Sequence, residues 1–143
     1  MKQLSRFYEA QSSTYNYALK EVRCGRKLSH WMWFIFPQLE GLGRSPMSEY
    51  YGIQGITEAK EYLHDEILGK RLNEISQSLL DLNSNNAVEV FGFADAMKLK
   101  SCMTLFSFVD RPNSIYTAVL NRFFNGTIDH ATMVLLHGEQ ETG

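Results

Sequence analysis

Only two of the 143 residues are cysteine, Cys24 and Cys102, far apart and in no C-x-x-C pair. A disulfide framework and a zinc ribbon are both excluded. Proline is equally scarce, at Pro37, Pro46 and Pro112, and no Gly/Ser tract or low-complexity segment parts the chain. One domain is expected over residues 1–137, followed by a frayed tail at 138–143. The longest apolar run, Trp31 to Phe36, has six residues, against the roughly 20 that a membrane-spanning helix needs. The first residues carry no apolar stretch of a secretory signal, so a reducing, cytoplasmic home with no membrane partner is the default expectation. Charge of one sign is missing too: fourteen Lys and Arg face sixteen Asp and Glu, for a net charge of -2. That balance argues against generic nucleic-acid binding, which rests on many cations meeting phosphates.

What is present is apolar content of 44% with 21% charged residues, a composition that folds around a core. Apolar residues recur at three- and four-residue steps and strict alternation is rare, which predicts an all-α, compact single-domain bundle of about six to eight helices. The first helix is expected to start after Ser5 as N-cap, to present Phe7, Tyr15, Ala18 and Val22 on one stripe, and to stop at Gly25. Ser45 followed by Pro46 marks a second start, with proline where its missing N–H costs nothing. Thr57 opens a longer stretch carrying Leu68, Leu72, Ile75, Leu79 and Leu82, which Gly69 weakens and Asp65 can restart as a second helix. After the Asn83–Asn86 loop, a short turn of helix runs from Ala87 to Phe91 and ends at Gly92. Asp95 is then expected to cap a helix with Leu99, Met103 and Phe106 inward. Pro112, Asn113 and Ser114 begin the next helix, which Asn125 and Gly126 end, and Asp129 caps a last short helix reaching His137. The segment 29–38 is too continuous in its apolar residues for periodicity to separate helix from strand. Helix is favoured, because no partner strand is visible elsewhere.

Charge is segregated within this chain. Between Lys20 and Arg44 stand five basic residues (Lys20, Arg23, Arg26, Lys27, Arg44) and two acidic ones (Glu21, Glu40), so the remainder is net acidic. The same window holds both tryptophans, Trp31 and Trp33, with Phe34 and Phe36, and ends in Gly41, Leu42, Gly43, Arg44, Ser45. Glycines before a capped helix let backbone approach a ligand, and the first N–H groups of that helix with Arg44 would face an anion. Neither a phosphate loop nor a dinucleotide fingerprint is present, and most glycine turns before helices bind nothing. Trp31, Phe34 and Phe36 read as core. In a helical segment His30, Trp33 and Gln38 would share one face near the basic residues.

His30 is the candidate general acid or base, with Asp95 or Glu21 behind it to orient the imidazole. A lone histidine is more often structural. Asp95, Lys98 and Ser101 fall at three-residue steps on one helix face, which is either a partner for His30 or a solvated, salt-bridged surface. Cys24 lies among cations but has no base to partner it, and Cys102 reads as core. No metal-ligand spacing and no cofactor motif occur, so neither is expected.

The block from Gly25 through Arg26, Lys27, Leu28, Ser29, His30, Trp31, Met32, Trp33, Phe34, Ile35, Phe36, Pro37 and Gln38 resembles the signature of a bacterial family, domain of unknown function 1810. The likeness continues through Gly41–Ser45 and Tyr50–Ile53, and in Arg6-Phe7 with Gln11, Lys98-Leu99, Ser101 to Phe106, and Arg122-Phe123-Phe124. The resemblance implies a mainly α-helical single domain and no established activity. Members are sometimes labelled calpastatin-like, after a disordered inhibitor that this aromatic-rich chain does not match.

Three functions follow as expectations. The first is binding of a small anionic ligand, phosphorylated or nucleotide-like, by Lys27, Trp33, Gln38, Gly43, Arg44 and Ser45. The second is an enzyme using His30 with Asp95. The third is an interaction module whose exposed aromatics form a partner or dimer surface, oligomeric state being open.

Overall fold

Ten helices, connected by short turns, account for most of the described residues. A computed structural model describes the backbone of residues 3–142 and the side chains of residues 3–139. The helices are α1 (Ser5–Ser12), α2 (Tyr15–Arg23), α3 (Met32–Ile35), α4 (Pro46–Tyr51), α5 (Ile56–His64), α6 (Leu68–Leu80), α7 (Ala87–Phe91), α8 (Phe93–Val109), α9 (Ile115–Phe124) and α10 (His130–Thr142). The class is all-α as the periodicity predicts. The number exceeds the six to eight expected because the first stretch and the one after Thr57 each divide in two.

Helix α8 is the axis of the fold. Leu99, Cys102, Met103, Leu105 and Phe106 are fully buried along it, so it is apolar on nearly every side and packs against α5, α7, α9 and α10. Helix α6 buries Leu72, Ile75 and Leu79 against α2, α5 and α9. Each fully buried aliphatic side chain contributes about 1.5–3 kcal/mol relative to exposure.

Several starts and stops differ from the sequence reading. The first helix is two: the backbone breaks at Ser13 and Thr14, so that α1 packs on α3 while α2 packs on α6. Ser5 is not its N-cap; Leu4 holds that position without a side-chain bond, and Ser5 is the first helical residue. The long stretch after Thr57 is also two helices, and Asp65 restarts it, its Oδ2 accepting from Ile67 N at 3.1 Å and Leu68 N at 2.9 Å. Gly69 is required where α6 crosses α5: a Cβ there would lie 2.1 Å from the Leu63 carbonyl oxygen. Asp95 does not cap α8. Gly92, at φ 80°, ends α7 and opens α8 together, leaving Asp95 free in the first turn for other partners.

Within 29–38 only Met32–Ile35 is helical. Ser29 and His30 form a bend, and beyond Pro37 the chain makes an isolated parallel bridge between Leu39 and Ile53. Glu40 N donates to Ile53 O, and Ile53 N to Gln38 O, both at 2.9 Å. The helical reading of this segment therefore holds for one turn only, because a partner residue in Ile53 does exist.

The starts at Ser45 and Ser114 are as expected, each side chain accepting from the amide three residues on, Ser48 N and Thr117 N. Asn125 takes the left-handed conformation that ends α9. Asp129 accepts from Thr132 N at 3.0 Å, and the helical backbone it opens runs past His137 to Thr142. Of the expected frayed tail, the side chains of 140–143 lie outside the described residues. No helix among the described residues is long and apolar enough to cross a membrane.

Candidate functional site

Three parts of the chain converge on one cleft. Single-turn α3 supplies Trp33; the extended segment after it supplies Gln38, Leu42 and Gly43; α8 presents Met97, Lys98 and Ser101. Asp129 and Ala131, at the start of α10, close the far side of a cavity of about 280 Å3. Residues 97, 98 and 101 of a helix share one face, so the local cause is the 3.6-residue period of α8.

The polar groups of the cleft are unevenly spent. Gln38 is 8% exposed, yet among the described residues its side-chain amide makes no hydrogen bond. The unpartnered side-chain atom shut off from solvent is Ser76 Oγ among the described residues, so the Gln38 amide keeps contact with solvent. Ser101 Oγ donates to Met97 O at 3.1 Å, leaving its lone pairs. The Lys98 ammonium lies 4.6 Å from the Trp33 ring centroid and donates to Asp95 Oδ1 at 3.2 Å. An ammonium has three donors, so this bond leaves others.

Asp95 joins two cations. Its Oδ2 lies 2.8 Å from Lys27 Nζ, which also donates to Ser29 O at 2.6 Å and sits 5.0 Å from the Trp31 ring centroid. Burial alone would raise the Asp95 carboxyl; hydrogen bonds and charge from Lys27 and Lys98 outweigh it and hold the group below the ordinary aspartate range. Lys27, Lys98, Asp95 and Asp129 are balanced in sign, so the basic surplus of the Lys20–Arg44 window is not gathered at the cleft.

Glu21 organises the loop in front of it. Its Oε1 accepts from Leu28 N at 2.7 Å, Ser29 N at 2.9 Å and Trp31 Nε1 at 2.9 Å, and its Oε2 from Ser29 Oγ at 2.7 Å. Burial pushes this carboxyl up, but the four bonds prevail and lower it to about 2.

Of the residues singled out from the sequence, Trp33, Gln38 and Gly43 line the cleft, while Lys27 reaches it through Asp95 and Lys98. Arg44 is exposed and off its walls. Ser45 is engaged as the cap of α4, with Ser48 N on its Oγ at 3.1 Å and Ser48 Oγ on its carbonyl at 2.9 Å. His30 is exposed at the bend and, among the described residues, makes no hydrogen bond. Both carboxylates considered for it, Asp95 and Glu21, are occupied by the partners above. The sequence marks Asp129 only as a helix cap, and nothing local in it joins Asp129 to Gln38. Lys98 and Ser101 were visible as a three-residue spacing.

Two other hollows are less equipped. One of about 340 Å3, between Leu39–Gly41, Ile53–Gly55 and α10, contains Glu139, whose Oε1 already accepts from Ile56 N at 2.8 Å. The other, about 500 Å3, is an open groove around the α5–α6 turn at Asp65. Among the described residues no group of three His, Cys, Asp or Glu could hold a metal ion.

Residues 1–136 match the family model described as protein of unknown function (DUF1810). The crystal structure of the conserved hypothetical protein Rv1873 from Mycobacterium tuberculosis is similar at 42% identity and a TM-score of 0.91, over 94% of this chain and 96% of that one. No curated protein matches the chain significantly.

Proposed function

The chain belongs to the DUF1810 family, and we propose that it binds a small anionic ligand, phosphorylated or nucleotide-like, in the cleft between α3, α8 and the start of α10. The observation that carries this reading is Gln38: a residue nine-tenths buried whose side-chain amide, still open to solvent, makes no hydrogen bond among the described residues and stands on the wall of a cavity that also holds an indole and an ammonium. A ligand with a planar polar part would satisfy the amide and pack against Trp33, and its negative part would take the unspent donors of Lys98. Gly43 lies on the same wall, where a Cβ would meet Ser48 Oγ at 3.0 Å. Lys27 acts through Asp95, which holds Lys98 in place.

Titration of the full chain with nucleoside monophosphates and sugar phosphates, followed by tryptophan fluorescence and calorimetry, tests the reading. A saturable response is expected, weakened on the order of tenfold by Lys98→Gln, the loss of one charge-assisted bond. Trp31 is buried and Trp33 half-buried, so Trp33→Phe removes the fluorescence response while calorimetry still reports binding. No heat and no signal across the panel overturns the proposal.

A further inference from the structure

Resting on that reading, we infer that the cleft selects a ring bearing an amino group over the same ring bearing an oxo group, and that Asp129 makes the choice. Asp129 is fixed before any ligand arrives. Its backbone N–H donates to Thr104 Oγ1 of α8 at 2.9 Å, while its Oδ2 takes both Thr132 N at 3.0 Å and Thr132 Oγ1 at 2.6 Å. The other oxygen, Oδ1, accepts nothing among the described residues, and Asp129, half-buried, is one of the residues that line the cleft.

The polar groups lining the cleft differ in kind. Two acceptors without hydrogens to give belong to this lining, Asp129 Oδ1 and Ser101 Oγ, whose proton is committed to Met97 O, while the Lys98 ammonium of the same α8 face is the donor that takes the anionic part of the ligand. The α3 segment and the chain after it add the Gln38 amide and the Trp33 Nε1–H to the same lining, the latter a donor that makes no hydrogen bond among the described residues. An amino group directed to Asp129 gives a charge-assisted bond to it. An oxo group in the same place sets lone pairs against the carboxylate, an arrangement that discriminates more strongly than a missing contact. At about 280 Å3 the cavity lies just below the usual range for drug-sized ligands. One ring system fills it, with the anionic part of the molecule at the mouth.

Adenine and hypoxanthine differ by this exchange and by a proton gained on the adjacent ring nitrogen, as do cytosine and uracil, so the test is calorimetry of the full chain with AMP against IMP and CMP against UMP. The amino member of each pair is expected to bind tighter, on the order of tenfold or more. Asp129→Asn keeps a good N-cap acceptor and turns an amide N–H toward the ring, so the preference reverses. Asp129→Ser also keeps the cap but withdraws the acceptor, so the preference disappears. Unchanged melting temperatures verify that α10 stays in place. Equal binding within both pairs, a preference untouched by either substitution, or binding of sugar phosphates alone would overturn the inference and leave the ligand-binding reading standing. Absence of binding by nucleotides and sugar phosphates alike removes both.

Discussion

Arg6 and Glu58 form a two-bond pair in the interior, with Nη2 to Oε1 at 2.8 Å and Nη1 to Oε2 at 3.1 Å. The remaining donors of Arg6 reach Tyr50 O at 2.8 Å, Gln3 O at 2.7 Å and Gly52 O at 2.9 Å. Glu58 Oε1 also accepts from Gln54 N at 2.9 Å. The pair ties α1 to α5 and to the chain leaving α4, and the guanidinium lies 4.4 Å from the Phe7 ring centroid. Arg6 therefore belongs to the architecture, although it is part of the sequence resemblance. Gln11 does as well, donating to Phe34 O at 2.7 Å and Tyr62 Oη at 3.0 Å.

Arg6→Ala leaves the Glu58 carboxylate buried without its cation, and removing one partner of a buried pair costs about 3–5 kcal/mol. Urea denaturation is expected to show a loss of that size, and Arg6→Met combined with Glu58→Leu to recover a large part of it. A loss below about 1 kcal/mol would contradict the burial.

Gly69→Ala should destabilise the protein by about 1–3 kcal/mol or more, since overpacking against backbone forces α5 and α6 apart. On helix propensity alone the same change would stabilise by about 1 kcal/mol. Thermal melting decides between the two signs.

Acid sensitivity should trace in part to Glu21. Its carboxyl is near 2 in the folded protein against 4.5 ordinarily, so the folded state binds fewer protons between those values. Its stabilising contribution is complete above about 4.5 and is lost as pH falls toward 2. Melting temperature measured from pH 6 down to 2 should fall less steeply in Glu21→Gln than in the parent, with the Lys27–Trp31 loop loosened at every pH.

Where a signal is local, the chain announces it. Ser45-Pro46, Asn86 before Ala87, Ser114 before Ile115 and Asn125 mark helix ends through bonds spanning two to five residues, and all four stand where the sequence puts them. The break at Ser13, the shrinking of 29–38 to one turn and the release of Asp95 from capping depend on distant partners: α6, Ile53 and Lys27. Half of the cleft was legible for the same reason. Trp33, Gln38 and Gly43 stand out in one idiosyncratic window, whereas Asp129 is an ordinary helix cap until α10 packs beside α8.

The order of residues thus determined the helical class, the single domain and most helix ends, because backbone propensity, capping and the 3.6-residue stripe act over a turn or two. Tertiary packing alone decided which charges met and which stayed unspent. It neutralised Lys27 with Asp95, left His30 in solvent and brought Gln38 and Asp129 into the lining of one cleft, since burial and ion pairing are properties of neighbours in space that no local pattern encodes.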